Sequence, residues 1–533
     1  MKKVSIFLMS VLALCLVSCQ SAKKPDHDIV ILFENDVHCA LDGYTKFAAL
    51  KSEMQAQTPY VSVVSAGDYV QGAAMGSITK GESIIQIMNA VGYDVTTIGN
   101  HEFDYGIDQM KHLMSELKAE VVCCNFTDLS DNLLFQPYTI KSYGDVKVAF
   151  VGAATPTTFT SSTPTYFEDS KGNLMYSFHA EDCFKRIERA AKDARSQGAD
   201  YVIVLSHLGD DTELDNSVDM IKATSGIDAV LDGHQHHIIN QRINNSKGKP
   251  IILASTGTAF LRMGKLTINS EGEISVELIK TANYEGKNEA VAKTIEDIRV
   301  QLNDRINAVV GYSEVPLTMM RFNEREVRRG ETNLADFLTD AFLAETGADV
   351  AMMNGGGIRN QIDKGEITFG EIYSVMPFNN TLCMVECTGQ QILDALELGV
   401  SLEPEESGSF MQVSGMRYTY DPSIPSSVKY DNHNMFIGVE STRRVTSVEV
   451  RNKETGEWEP LDLDKSYTVG GQSYILMHKG AEGVFNFAKK IPCATCGNRT
   501  DVQAVVDYLQ KIGGRIAMRQ YSKSQQRVTV VKK

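Results

Sequence analysis

From Asp28 to about Lys280, short apolar runs rich in valine and isoleucine alternate with stretches whose apolar residues recur at helical spacing. This rhythm predicts an α/β or layered α-β domain. Five of the runs share a feature. Ile29 to Phe33 is followed by Asp36 and His38, Val61 to Val64 by Asp68, and Val95 to Ile98 by Asn100 and His101. Val202 to Leu205 leads to His207, and Ala229 to Leu231 to His234 and His236. Each expected strand is thus followed by a side chain able to bind metal or transfer a proton. With the strands side by side, these residues gather at one edge, where α/β sheets hold their ligands.

After this region the polar stretch Asn283 to Asn288 opens a segment with Val291, Ile295, Ile298, Leu302 and Ile306 at helical spacing, an amphipathic linker helix within 283–314. A helix near Leu334 to Ala344, a strand near Val350 to Met353 and later β-rich runs then predict a second, α+β domain over 315–533. A chain of 533 residues exceeds what one core usually covers, which also argues for two domains. The start of the chain reads differently. Lys2 and Lys3 precede an apolar run from Val4 to Val17, the order of a secretory signal peptide and too short for a spanning helix.

Composition narrows the function. The formal charge of −16 excludes a nucleic-acid polymer as partner, because non-specific binding to phosphate backbones needs basic surface. A small anionic substrate remains open if metals supply the positive charge. Ten cysteines in a chain this long are not a disulfide framework. Cys493 and Cys496 form a C-x-x-C pair that reads as a local disulfide or as two inert thiols, since a zinc ribbon needs a second pair.

Asp36-x-His38, Gly67-Asp68, Gly99-Asn100-His101-Glu102-Phe103-Asp104, Ser206-His207 and Gly233-His234-Gln235-His236 occur in that order. Singly each is weak; five after five expected strands are not. Together they resemble the calcineurin-like metallophosphoesterases, and in order and completeness the bacterial periplasmic and animal ecto-5′-nucleotidases. The resemblance runs through nearly the whole mature chain. It implies an α/β/β/α sandwich over 26–282, joined by a helix to a C-terminal 5′-nucleotidase domain that binds substrate. It also implies two divalent metal ions, the first held by Asp36, His38, Asp68 and His236 and the second by Asp68, Asn100, His207 and His234, with Asp68 as the bridge. A carboxylate has two oxygens and can join two cations, whereas an imidazole serves one. In an extended stretch His234 and His236 point to one side and His237 to the other, which leaves His237 out. Mixed nitrogen and oxygen ligands suit zinc, manganese, iron or cobalt. Two cations about 3.5–4 Å apart share a water and lower its pKa, giving the expected hydroxide nucleophile. The same resemblance makes His101 and Asp104 the catalytic dyad; Asp104 could instead, or also, cap the helix after Phe103.

In the second domain, Asn354-Gly355-Gly356-Gly357-Ile358-Arg359 follows an apolar strand, so that backbone can approach a ligand while Arg359 offers a fork for anions. With Arg328, Arg329 and the Glu331-Thr332-Asn333-Leu334 segment it resembles the nucleotide-binding signature of the family. Pro377-Phe378-Asn379-Asn380 matches the place where the family stacks a ring on the base, making Phe378 and Asn380 expected contacts; Phe378 as a plain core residue is the alternative. Further on the chain departs from the family's Gly-Gly-Asp-Gly turn: it reads Gly480-Ala481-Glu482-Gly483, with Leu476 in place of a second aromatic and Tyr474 two residues earlier. Tyr474 and Glu482 are carried as substrate contacts, but a base clamped between two rings is not. Cys39 stands where the family has glycine.

These features predict a phosphohydrolase acting on 5′-nucleotides, and on nucleotide sugars, that scavenges external nucleotides. Leu16-Val17-Ser18-Cys19 resembles a bacterial lipobox, so residues 1–19 read as a leader and Cys19 as a lipid-bearing mature terminus facing the periplasm or cell surface. That lipid is the expected membrane contact, and a monomer the expected state. The rivals are a 2′,3′-cyclic-nucleotide phosphodiesterase with 3′-nucleotidase activity, and a non-catalytic nucleotide-binding surface lipoprotein.

Overall fold

The structure, a computed structural model, describes residues 22–169, 171, 173–210, 215–322, 324–493, 495–496 and 499–531. The expected leader and Cys19 lie outside them. Among the described residues no helix is long and apolar enough to cross a membrane.

In chain order the strands of the first unit's two large sheets are β1 (Ile29–Glu34), β2 (Val61–Ser65), β3 (Val95–Thr96), β4 (Glu120–Val121), β5 (Tyr138–Tyr143), β6 (Val146–Ala154), β7 (Tyr201–His207), β8 (Ala229–Leu231), β9 (Ile238–Asn244), β10 (Pro250–Thr256), β11 (Arg262–Ile268) and β12 (Ile274–Lys280). They form two six-stranded sheets, ordered β12-β11-β1-β2-β3-β4 and β9-β10-β8-β7-β6-β5. The five site-bearing strands are therefore divided between the two β layers of the expected sandwich. β1, β2 and β3 belong to one sheet and β7 and β8 to the other, and within each group neighbours run parallel.

Alternation along the strands makes the layers. Ile29, Ile31 and Phe33 of β1 enter the core between the sheets with Ile203 and Leu205 of β7 and Leu231 of β8. Val30 and Leu32 face outward onto Tyr44 and Phe47 of α1 (Leu41–Gln55) and onto Ile84 and Ile87 of a second helix, Glu82–Val91. On the other side Val202 and Val204 meet Ile187 and Ala191 of the helix Cys183–Ser196. Strands covered on both faces must be apolar throughout, which is why they read as unbroken runs. The result is an α/β/β/α sandwich, and both parallel groups end at the same edge.

The expected linker helix is α2 (Glu289–Ile306), capped by the Asn288 side chain, which accepts the N–H of Val291 at 3.1 Å. It does not bridge open space. Val291, Ile295 and Ile298 are buried in the same cluster as α1, so the helix is part of the first unit's outer layer. Its end reaches the second unit, where a Cβ on Gly370 would stand 2.7 Å from the Ile306 side chain.

The second unit is built on α3 (Asn333–Thr346), β13 (Val350–Asn354), β14 (Leu382–Thr388), β15 (Met411–Ser414), β16 (Ser466–Gln472), β17 (Lys489–Lys490) and α4 (Asp501–Lys511). The strands pair in the order β15-β13-β16-β14-β17. Phe337, Leu338 and Ala341 of α3 pack on Val502, Val505 and Leu509 of α4. Cys493 and Cys496 are joined in a disulfide, which decides between the two readings of that pair.

Because α2 is docked, Ile295→Ala should lower the unfolding free energy by about 2–5 kcal/mol. Val300→Ala, at a side chain 65% exposed on the same helix, should change it by less than about 0.5 kcal/mol. Denaturant titrations of the full chain read the difference; equal, small effects would return the helix to a mere tether.

Candidate metal centre and active site

The loops leaving β1, β2, β3 and β8, together with the last residue of β7, converge at the shared edge of the sandwich. Five of the candidate ligands sit in the left-handed backbone region: Asp36 (φ 50°), His38 (43°), Asp68 (60°), His234 (84°) and His236 (61°). Each such residue costs about 1–3 kcal/mol and persists only where its surroundings enforce it. The enforcement is visible. Glu102, wholly buried, accepts the backbone N–H groups of Asp68 (2.9 Å), Tyr69 (2.9 Å) and Gly99 (2.6 Å), tying the β2 and β3 loops to one carboxylate. Asn35 donates to Asp36 Oδ2 (2.6 Å) and to Gly257 O (2.8 Å). Gly99 is needed for closeness, because a Cβ there would lie 2.2 Å from Asp68 Oδ1.

The donor atoms are arranged for cations. His207 Nδ1 lies 2.6 Å from Ala66 O, so the ring's N–H points to that carbonyl and its Nε2 lone pair faces Asp68 Oδ2 at 3.1 Å and Asp36 Oδ1 at 3.9 Å. Nε2 has no hydrogen-bond partner although it is buried. His38 repeats the device, with Nδ1 at 3.1 Å from Gln71 O and Nε2 turned to His236 Nε2 at 3.1 Å. His236 Nε2 is 3.4 Å from Asp36 Oδ1. Lone pairs facing lone pairs and carboxylates are unfavourable unless a cation or proton lies between them. Asp36, His38 and His236 can hold one cation, and Asp36, Asp68 and His207 another. Asn100 Oδ1 and His234 Nδ1 meet at 2.9 Å. These residues fit divalent metal.

The electrostatics agree. Burial pushes Asp36 up to about 6, with Asp68's charge adding to it. Burial acts on Asp68 in the same direction, but His207 and His101 outweigh it and hold this carboxyl well below its usual range. Burial lowers His207 too, yet Asp68 and Asp36 draw it up to about 10, the response of an imidazole to a concentrated negative field. Burial takes His38 down to about 3, keeping it a neutral donor.

His101 Nδ1 is 2.6 Å from Asp104 Oδ2, and the His101 backbone N–H donates to Asp68 Oδ1 at 2.8 Å. Asp104 does not cap the following helix, which starts at Ile107 after Gly106 without a side-chain cap. Of the two readings of Asp104, pairing with His101 is the one observed. Burial lowers His101, but the carboxylates of Asp104 and Asp68 prevail and raise it above its usual value.

The stated reason for leaving out His237 does not hold, because His234 and His236 lie in a turn with positive φ and not in an extended stretch. His237 nevertheless points elsewhere, to Asp210 at 2.8 Å. Cys39 turns its sulfur to Tyr69 O (3.5 Å) and lies against Gly76, away from the donor cluster.

The second unit faces this centre. Arg359 influences His38, His101 and His236 electrostatically and makes no ion pair among the described residues. Phe378, half-buried, has its ring 6.0 Å from that of His101 and 5.8 Å from the Arg359 guanidinium. Arg328 is half-buried, with its Nε buried and unpartnered among the described residues. Arg329, its neighbour in sequence, is not in this cluster: its guanidinium engages Glu324 and Pro404 O, since adjacent residues of this turn project to different sides. The Glu331 to Leu334 segment is also structural, for Thr332 caps α3 and Asn333 donates to Pro316 O (2.9 Å) and Tyr521 O (2.8 Å). Asn354 Nδ2 donates to Gly408 O at 3.1 Å, as does the Gly356 N–H at 2.8 Å. Asn380 Oδ1 accepts the Tyr474 N–H at 3.1 Å, so this amide frames the segment beside it. Glu482 accepts from Ser409. Leu476 is sunk in the second unit's core, while Tyr474 stacks on Gly480 and reaches Thr160 O of the first unit at 3.4 Å. Further contacts hold the units together: Asn379 Nδ2 to Ser77 O (3.0 Å), Lys479 to Glu168 (2.6 Å) and His478 to Thr165 (2.9 Å).

Sequence reasoning passed over Glu102, Asn35 and Arg325. Glu102 stands inside the quoted Asn100 to Asp104 motif, the one signal that could have marked it. Arg325 pairs with Glu406 at 2.6 Å and adds its charge to the field on Arg328, Arg359 and His236.

Residues 309–490 match the family model described as the 5′-nucleotidase C-terminal domain, and residues 62–255 match the model of the bacterial capsule synthesis protein PGA_cap. The trifunctional nucleotide phosphoesterase protein YfkN of Bacillus subtilis is 26% identical over 92% of this chain, which spans only 34% of that protein. The 5′-nucleotidase of Bos taurus is 24% identical, with 91% of this chain and 88% of that one covered. The solved structure of a 5′-nucleotidase precursor from Thermus thermophilus superposes with a TM-score of 0.77 at 25% identity, over 95% of this chain and 100% of that one. Residues 309–490 thus match a 5′-nucleotidase C-terminal domain, and over nearly its whole length the chain is similar to 5′-nucleotidases in sequence and in fold.

Proposed function

We propose that this protein is an extracytoplasmic two-metal phosphohydrolase that releases phosphate from nucleoside 5′-monophosphates and also cleaves nucleotide sugars. In this reading residues 26–282 are the catalytic domain, 283–314 the connecting helix and 315–533 the substrate-binding domain. The chain is a monomer tethered by a lipid on Cys19. The observation that carries the reading is the set of facing acceptors, with His207 Nε2 and His38 Nε2 turned to buried carboxylates and to His236, near Arg359, which has no ion-pair partner among the described residues. Such a set suits two divalent cations with a phosphate dianion between them and the arginine. The names of the relatives support nucleotides as the substrate class.

Asp36, His38, Asp68 and His236 would hold one cation, and Asp68, Asn100, His207 and His234 the other; zinc, manganese or cobalt suits this donor set. When bound, such a pair supplies Lewis acidity and makes hydroxide available near neutral pH. The chain's own groups do the rest. Asp104 orients His101, whose Nε2 proton stabilises charge on the phosphoryl oxygens or passes to the departing ribose oxygen. Arg359 and Arg328 draw the phosphate in, and Phe378 covers His101 and excludes water.

Phosphate release from AMP, UMP, UDP-glucose, 3′-AMP and 2′,3′-cyclic AMP, with each metal and with chelator, tests the reading. Chelator-sensitive release from the 5′-nucleotides is expected. Release from the 3′ and cyclic substrates alone would indicate the cyclic phosphodiesterase, and silence throughout a binding protein. His101→Ala should lower kcat by about 10²–10⁴-fold with metal content unchanged. Glu102→Ala should weaken metal affinity by about 10–100-fold, as loss of a group that orients ligands does, read by competition with a chromogenic chelator.

A further inference from the structure

Asp501 is fully buried at the start of α4, outside every motif described above, and takes no part in the proposed chemistry. Its surroundings are unusual for a helix-initiating aspartate. Its backbone N–H donates to Asn380 O at 2.8 Å, and its Oδ2 accepts from Gln472 Nε2 at 2.6 Å. Its Oδ1 accepts the Val502 N–H at 2.8 Å. Asn380 in turn holds the Tyr474 N–H, while Gln472 Oε1 lies beside Gly357, where a Cβ would be 3.2 Å away. The neighbouring residues add to the join: Leu382 N–H donates to Arg499 O at 3.0 Å, and Thr381 bridges Thr500. Asn354 to Arg359, Pro377 to Asn380 and the strand end leading into Tyr474, segments that carry the expected nucleoside contacts, therefore meet around Asp501 and its partner Gln472.

We infer that Asp501 is a positioning residue for nucleoside recognition, holding these three segments in register without touching substrate. The inference rests on the reading of the second domain as the nucleotide binder. A buried carboxyl serves this purpose because it accepts from several directions at once, and each acceptor removed leaves a buried donor unsatisfied. Its distance in sequence from the metal ligands makes its effect separable from theirs: it should govern how the nucleoside is held and not how the phosphoester is broken.

The test compares AMP with p-nitrophenyl phosphate, an ester without a nucleoside, on the full metal-loaded protein. Asp501→Ala should raise KM for AMP about tenfold, the loss of one buried charge-assisted hydrogen bond, with kcat for AMP and kcat/KM for p-nitrophenyl phosphate within about twofold of wild type. Asp501→Asn, which keeps an oxygen for Gln472, should bring KM back to within about threefold. Gln472→Leu should raise KM for AMP as Asp501→Ala does, and the double variant should be less than additive. Gln472→Leu carries the test if Asp501→Ala does not fold. Unchanged KM for AMP in a folded variant, or an equal loss of kcat on both esters, overturns the assignment alone. A wild-type protein that cleaves p-nitrophenyl phosphate and not AMP overturns the nucleotide reading and this assignment with it.

Discussion

Two buried carboxylates, Asp36 and Asp68, share one site with three imidazoles whose lone pairs point inward, and most of the fold's local peculiarities serve to keep them there. Burial, with the charge of Asp68 added, raises Asp36, while the two carboxylates draw His207 up against its own burial to take the opposing charge. Five ligands in the left-handed region, a glycine pressed against Asp68, and the Glu102 carboxylate clasping two loops are all means of holding atoms that would otherwise separate. The stiff two-sheet scaffold behind them makes this possible, since both parallel groups end in the same plane and their strands are packed on both faces.

The site's sign opposes that of the chain. A net charge of −16 would repel a nucleotide, yet the second unit places Arg359 beside the donor cluster with Arg328 near it, where burial and then the charge of Arg325 lower both guanidinium groups. Arg359 and Phe378 come from the second unit and His101 from the first, so the centre is complete only when the units meet. The contacts at Ser77, Thr165 and Glu168 hold that meeting in place, and α2, docked on the first unit, touches the second through Ile306.

Much of this was legible in the sequence because its causes are local. Apolar runs followed by Asp, Asn or His marked the five strand ends, and every metal-ligand candidate lies at the shared edge. Their distribution over two sheets was not legible, since a buried parallel strand reads the same in either. Nor was the direction of adjacent side chains: Arg328 enters the cluster while Arg329 turns to Glu324, and His237 parts from His236 through turn geometry and not strand alternation. Residues whose role is to hold others are harder to read: Glu102 is marked only by its place inside a ligand motif, and Asn35 and Asp501 by nothing, because their partners are backbone groups or amides brought in by tertiary packing. The substrate segments were harder still. Asn380 and Thr332 fit a recognition motif and a structural frame equally well until their partners are seen.

The central claim is that this edge holds two cations joined through Asp68. Metal content per chain of the purified protein, compared with that of Asp68→Asn, tests it most directly. The account predicts about two divalent ions in the wild type and less than one in the variant, because a lone amide oxygen cannot bridge two cations. Nucleotide hydrolysis by a wild-type protein with no bound metal, or full metal content in Asp68→Asn, would contradict it.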